Sequence, residues 1–424
     1  MLALLVALAL GQVEGLPNPA GPIFSQPSLM GGFAFFEAFP ASGAGVGTAC
    51  AGTTPTGATG EAMTFTRASA ATCAKQGMAT TGILAGDLVE LTTDQPRIEY
   101  SGGILGVHHS SAATNLLPRF IETTNAAWAD VGTPGLAGSQ ASAWAGTYAT
   151  SAVEFTDNDG AAFEGRSQAF TVAAGAQHSL CCYVKAGTLD SARLSLDGTT
   201  ADFTGLSSTT WRLAQVVDAS SSGVAISAQV LNGSTAAGTG TVIWGGCQVE
   251  TGARCTAMQP TVAASAARAT EVVGFARSIP TTAGVCTAAT LEVTAVTAFQ
   301  AGSGVYSPLL SSGTVANTPT SAYLWPYSGG AGTNFAIDGS GSTGAPSGWA
   351  PAGNNATLMG RYVAGHDGTA WAICVNGTCS ANAVPSAWAS ATYPSIKLFA
   401  TTAVVADAIW TRVQVDPNWS RCTR

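Results

Sequence analysis

The chain has 424 residues, of which 9% are charged and 46% hydrophobic, with 51 glycines and a formal net charge of −8; that length suits two or three domains. So acidic a chain lacks the basic surface that displaces counterions from nucleic acid, and its apolar and aromatic content is too high for a disordered chain. Thr, Val and Gly outweigh the long-helix formers, with lysine only at positions 75, 185 and 397, so the expected fold class is all-β: tandem β-sandwich or jelly-roll modules behind an extended N-terminal arm.

Residues 1–40 open with the apolar run Leu2–Leu10. It is too short to span a bilayer as a helix. It has the length of a signal-peptide core, but no Lys or Arg precedes it and the small-x-small site Ala7-Leu8-Ala9 would cut the run itself. We read it as a retained anchoring arm, with a cleaved signal peptide as the alternative. Phe33, Phe35, Phe36 and Phe39 follow among prolines and glycines. Phenylalanines at that density want a partner surface.

Residues 41–111 form a β-rich connecting segment. Thr64, Thr66 and the alternation around Leu88, Glu90 and Thr92 suit strands. Gly102-Gly103 breaks a run, and Pro118 ends one beyond the segment. His108-His109 beside Ser110-Ser111 sets a base next to a nucleophile, but no Gly-x-Ser-x-Gly elbow accompanies it, and a connecting loop is the expectation.

Residues 112–268 read as a jelly roll. Short alternating segments recur at 169–172, 179–184, 192–196, 211–217, 224–230 and 241–244, divided by the turn signals Asp157-Asn158-Asp159-Gly160, Asp197-Gly198 and Asn232-Gly233. Residues 269–424 read as a second sandwich, with strands at 291–294, 334–339, 358–364, 370–375 and 409–415. Asn376-Gly377 is the strongest hairpin signal in the chain, and its register sets Cys374 opposite Cys379 as a pair close enough for a disulfide. Cys50/Cys73, Cys247/Cys255 and Cys286/Cys422 are pairings by module; connectivity as such is not readable from sequence. Adjacent Cys181 and Cys182 point to opposite faces of a strand, so one is expected buried and reduced. No Cys-x-x-Cys occurs, which disfavours a zinc site.

Several residue sets carry possible chemistry. Asp157, Asp159 and Glu164 around Gly160 are hard oxygens at a tight turn, a calcium candidate against an ordinary Asx turn. Glu90 with Glu99, or Asp338 with Asp367, would be the carboxylate pairs of a glycosidase, but surface carboxylates are common and no catalytic residue is assigned. Trp325, Tyr327, Trp349 and Trp388 sit in Gly/Ser/Pro-rich stretches and are candidates for stacking on sugar rings or for core and subunit contacts.

Four motifs stand in order: Thr64-Phe65-Thr66-Arg67-Ala68-Ser69-Ala70-Ala71-Thr72, Pro96-Arg97-Ile98-Glu99-Tyr100, Leu105-Gly106 and Thr114-Asn115-Leu116-Leu117. Together they resemble the connecting segment of bacteriophage tail-fibre-type minor structural proteins. Ile243-Trp244-Gly245-Gly246-Cys247-Gln248-Val249-Glu250-Thr251-Gly252, followed by Arg268-Ala269, resembles the closing strand of carbohydrate-binding-like jelly rolls in such proteins. The late meander around 367–377 resembles a laminin-G-like or concanavalin-like sandwich. The resemblance implies a non-enzymatic virion component, a tail fibre, spike or decoration protein. It would be a homotrimer bound to other virion proteins through its arm and to host surface glycans by its outer modules. No cofactor is implied beyond the calcium candidate. The alternatives are a secreted bacterial carbohydrate-binding protein and a polysaccharide depolymerase, for which no β-helix repeat is present.

Overall fold

A computed structural model describes residues 50, 63–75, 82–101, 104–110, 112–120 and 126–275, together with the strand Ala34–Glu37 and the strands between residues 279 and 416 given below. Side-chain packing is described for residues 50, 64–75, 82–99, 107, 108, 110, 112–120 and 126–273. The expected all-β class holds: among the described residues every element is a strand except the single 3-10 turn Gly146–Tyr148.

The jelly roll is two antiparallel five-stranded sheets. One runs Arg212–Asp218, His178–Ala186, Gly240–Thr251, Ala152–Asp157, Gly135–Gln140. The other runs Thr199–Phe203, Ala192–Leu196, Ala225–Asn232, Gly165–Thr171, Ala129–Val131. The period-two alternation read from the sequence turns Leu180, Cys182 and Val184 from one sheet, and Leu194, Leu196, Ala228 and Val230 from the other, into one core with Trp128, Phe155 and Trp244. Asp197 and Gly198 both take positive φ, the backbone a two-residue turn between twisted strands requires.

A second core lies on the outer side of the first sheet. Tyr183 and Trp211 alternate with the inner residues and pack with Trp144, Phe120 and Met258 against Ala74, Ile83 and Leu88. Those last three come from the antiparallel pair Ala71–Ala74 with Leu88–Leu91 and the chain between them. Ile83 bridges to Trp211 and Leu88 to Trp144.

Residues beyond the jelly roll form two larger antiparallel sheets, and strands from before the jelly roll join both. The eight-stranded sheet runs Thr378–Cys379, Trp371–Val375, Gly360–His366, Thr287–Ala298, Asp407–Asp416, Ile104–His109, Arg97–Ser101, with Ala34–Glu37 also on Asp407–Asp416. The six-stranded sheet runs Met63–Thr66, Val272–Phe275, Ile396–Leu398, Leu310–Ser312, Ala322–Ser328, Thr333–Gly339. So two strands of the stretch read as a connector, Met63–Thr66 and Ile104–His109, pair with strands of residues 272–416, across the inserted jelly roll. The arm strand holding Phe35 and Phe36 pairs with residues 412–415 of the same chain. The run Leu2–Leu10, Phe33 and Phe39 lie outside the described residues. No described helix is long and apolar enough to cross a membrane.

Three disulfides close the described region: Cys50–Cys73, Cys181–Cys255 and Cys182–Cys247. The first is as expected. The Cys247/Cys255 pairing is corrected, and so is the expectation of a reduced cysteine at 181 or 182. The two do face opposite sides of their strand, and each face offers its own partner. Cys182 and Cys247 are directly opposite on neighbouring strands inside the core. Cys181 reaches Cys255 on the other side. Cys286 and Cys422 lie outside the described residues.

Candidate functional site

The six-stranded sheet has two unlike faces, separated by its registers. Residues directly opposite in an antiparallel pair share a face. One row reads Phe65, Val273, Leu398, Leu310, Leu324, Ile337. At the described end of this row Phe65 and Val273 are buried. The adjacent row reads Thr64, Gly274, Lys397, Ser311, Tyr323, Asp338, and Thr64 is exposed.

Tyr323, Trp325 and Tyr327 follow one another at the period of two that keeps residues on one face, at intervals of about 7 Å. All three share the face of Thr64. Across from them stand Asp338, Ala336 and Asn334. The register therefore sets the three aromatic positions in a row, with Asp338, Asn334, Ser311 and Lys397 at neighbouring positions of the same face. Of the four aromatic candidates in the sequence, Trp325 and Tyr327 lie on this strand, and Tyr323 shares their i, i+2, i+4 spacing. Trp349 and Trp388 lie outside the described residues.

The outer face of the jelly roll is closed by contrast. Tyr183, Trp211 and Trp144 are all buried beneath the 71–91 hairpin. Burial pushes the Tyr183 hydroxyl pKa up, and the nearby charge of Glu99 adds to it. A Cβ on Gly245 would stand 2.7 Å from the Trp211 ring, so the glycine of the Trp-Gly-Gly motif is what admits the indole. Lys185 lies with Nζ 4.9 Å from that ring's centre.

The polar residues of the sequence motifs meet inside the protein. Arg67 donates from Nη1 to Glu271 Oε1 at 2.9 Å, and Arg97 from Nε to the same oxygen at 2.9 Å and from Nη2 to Oε2 at 3.0 Å. Asn115 accepts from Leu117 N and Val249 N, both at 3.1 Å, and donates to Gln259 O at 2.8 Å. Gln248 donates to Glu250 at 2.6 Å, and Glu250 accepts from Thr256 N at 2.9 Å. His108 and Ser110, expected in a loop, lie instead at the buried end of the strand Ile104–His109. Of the two carboxylate pairs, only Glu90 with Glu99 falls wholly within the described residues. Glu99 is buried and Glu90 exposed, and Asp367 lies outside the described residues.

Asp157, Asp159 and Glu164 form a hydrogen-bonded turn. Asp157 accepts from Asp159 N at 3.1 Å and Glu164 N at 3.2 Å, and Asp159 from Ala161 N at 2.9 Å. Glu164 accepts from Asn158 N at 2.7 Å and from Thr133 N at 2.9 Å. Burial alone would raise the Glu164 pKa, but these N–H donors outweigh it and hold the carboxyl below its usual range. Among the described residues no group of three or more His, Cys, Asp or Glu stands close enough to hold a metal ion.

No protein-family model and no curated protein matches the chain. Among solved structures, the CBM22-1 xylan-binding domain from Paenibacillus barcinonensis Xyn10C is similar at 16% identity and a TM-score of 0.26, over 34% of this chain and 99% of that one. The tandem CBM22-1-CBM22-2 domain of the same protein is similar at 10% identity and a TM-score of 0.26, over 73% of this chain and 99% of that one.

Proposed function

We propose that the chain is a non-catalytic glycan-binding protein whose contact face is the line Tyr323, Trp325, Tyr327. The observation that carries this reading is the register: the three aromatic positions share the row system of exposed Thr64, while the adjacent rows continue from buried Phe65 and Val273. Aromatic faces stack on pyranose rings, and Asp338, Asn334, Ser311 and Lys397 flank them for hydroxyl groups.

In the finer form of this reading the protein is a phage virion component, a tail fibre, spike or decoration protein that attaches the particle to host surface glycans. It would be anchored through residues 1–40 and assembled as a homotrimer. The ordered motifs of residues 64–117 and 243–252 support that form. A secreted carbohydrate-binding protein is the second reading, and the three disulfides favour it, since such bonds persist in oxidising compartments.

Affinity electrophoresis in gels containing host polysaccharide tests the shared claim. Trp325→Ala should weaken retardation by roughly tenfold or more, the loss of about 1.4 kcal/mol. Unchanged retardation in Tyr323→Ala, Trp325→Ala and Tyr327→Ala together would sink it. Detection of the chain in purified particles separates the two forms. Loss of particle incorporation on deleting residues before Ala41 tests the anchor, and a purely monomeric mass in solution rules out the trimer.

A further inference from the structure

The strand Ile104–His109 runs into a serine–histidine–carboxylate chain. Ser110 Oγ lies 3.3 Å from His108 Nε2, and His108 Nδ1 lies 2.5 Å from Glu99 Oε2. The other oxygen of Glu99 accepts from Ala74 N at 2.7 Å, which fixes the carboxylate. Arg97 donates from Nη2 to Ser110 Oγ, and its Nη1 stands 3.0 Å from His108 Nδ1. His108 Nδ1 thus stands between a carboxylate that only accepts, at 2.5 Å, and a guanidinium that only donates, at 3.0 Å; the closer contact assigns the imidazole proton to Nδ1, which leaves Nε2 to accept from the serine hydroxyl. The backbone N–H of Ser110 donates to Glu271 Oε2 at 2.7 Å.

Each part of an acyl-transfer site is therefore assembled: a hydroxyl nucleophile, a base oriented by a carboxylate, and a cation beside the nucleophile. Yet Ser110, His108, Glu99 and Arg97 are at most 2% exposed. That closes the site to an external substrate. One acyl group is always within reach of a serine hydroxyl: the carbonyl of the peptide bond to its own nitrogen.

We propose that this cluster cuts its own chain between His109 and Ser110. His108 Nε2 takes the hydroxyl proton as Ser110 Oγ bonds to the carbonyl carbon of His109. The Arg97 guanidinium, which donates to Ser110 Oγ, supplies positive charge to the site as the carbonyl oxygen becomes negative. The C–N bond then breaks, and the proton passes from His108 to the departing nitrogen of Ser110, which keeps its contact with Glu271. The result is an ester between the His109 carbonyl and Ser110 Oγ, with a free α-amine on Ser110. One water molecule hydrolyses the ester, leaving a carboxylate on His109 and restoring the Ser110 hydroxyl. Water is the co-reactant, and no oxidant or metal is needed.

The two pieces, 1–109 and 110–424, would stay together. Ile104–His109 pairs with Asp407–Asp416, Met63–Thr66 pairs with Val272–Phe275, and Arg67 and Arg97 hold Glu271 from across the cut. Cleavage would thus be invisible to native sizing and visible on denaturation. This activity is independent of the glycan reading.

The test is intact-mass measurement of the purified full-length chain under denaturing conditions, with and without hydroxylamine, alongside native size exclusion. The expected result is two fragments, one ending at His109 and one beginning at Ser110, that co-elute natively. Hydroxylamine, a small nucleophile that captures esters, should speed the cut and leave a hydroxamate on His109. Ser110→Cys should retain cleavage and Ser110→Ala abolish it. His108→Asn should slow it by roughly a hundredfold or more, the share of a general base. A wild-type chain that keeps its full mass in both arms overturns the proposal whatever the variants do. So does a fragment junction elsewhere, or the same fragments from Ser110→Ala.

Discussion

Arg97 and Glu271, separated by 174 residues, meet as a buried two-point pair at 2.9 and 3.0 Å. Arg67 adds a third bond to the same carboxylate. One glutamate just after the jelly roll thereby holds two arginines from before it, and the inserted module leaves and rejoins the flanking sheets at a fixed point. Burial pulls the Arg67 pKa down, and Glu271 is its main counterweight. Glu271→Ala would leave two buried guanidinium groups without their carboxylate, a loss of about 3–5 kcal/mol. Glu90→Ala, at an exposed position, should stay within about 0.5 kcal/mol of wild type. Urea unfolding of both variants checks this, and an Glu271→Ala midpoint close to wild type would remove the clamp from the account.

The connectivity at Cys181 and Cys182 predicts an unusual peptide map. Trypsin cuts after Arg166, Lys185, Arg212, Arg254 and Arg268. Without reduction, the peptide 167–185 should therefore carry two partners at once, 213–254 through Cys182 and 255–268 through Cys181. A two-peptide complex joining Cys247 to Cys255 and free of 167–185 would contradict the structure. Each bond closes a long loop, of 65 or 74 residues. Replacing either pair should cost roughly 4 kcal/mol by the chain-entropy account.

The jelly-roll strands were legible because period-two alternation and Asp-Gly or Asn-Gly turns are local signals: 192–196 is the strand Ala192–Leu196 as read. What sequence order hid was pairing at a distance. Ile104–His109 read as part of a connector because nothing local shows that it pairs with Asp407–Asp416 and carries Arg97–Ser101 into the same sheet. The cysteine pairing was missed for the same reason. Modular proximity favours Cys247 with Cys255, whereas the register of His178–Ala186 on Gly240–Thr251 sets Cys182 opposite Cys247. The motif polar residues Arg67, Arg97, Asn115 and Gln248 carried a resemblance but no visible role, since a buried network shows only when both ends of the chain are in place.

Glu164 gives a pH dependence with a definite sign. Its folded pKa lies below the ordinary value of 4.5. A depressed carboxyl contributes stability that is complete above that ordinary value and is lost as pH falls through the folded one. Asp157 beside it is shifted upward, chiefly by burial, and works in the opposite direction over the same acidic range. Glu164→Gln should therefore be less stable than wild type at about pH 7, with the gap closing at about pH 3. Asp157→Asn should show the reverse trend. Denaturant midpoints at the two pH values decide it; a Glu164→Gln deficit that is constant with pH would mean the side chain acts through packing alone.

Cys374 and Cys379 supply the last prediction. The strands Trp371–Val375 and Thr378–Cys379 pair with Val375 opposite Thr378 and Cys374 opposite Cys379, the register that a two-residue Asn376-Gly377 loop dictates. Val375 and Thr378 close the loop, so the cysteines are the next pair out, at the non-hydrogen-bonded positions where side chains come closest. We expect them to be thiols in freshly made cytoplasmic protein and a disulfide once the protein meets an oxidising medium. The loop is short, so the bond contributes only about 2 kcal/mol by the chain-entropy account, and its loss should loosen the hairpin tip without unfolding the sheet. Differential alkylation with mass spectrometry, on cytoplasmic and on air-exposed protein, reads both states. Free labelling of both thiols after full oxidation would refute the bond, and equal protection in both samples would refute the switch between compartments.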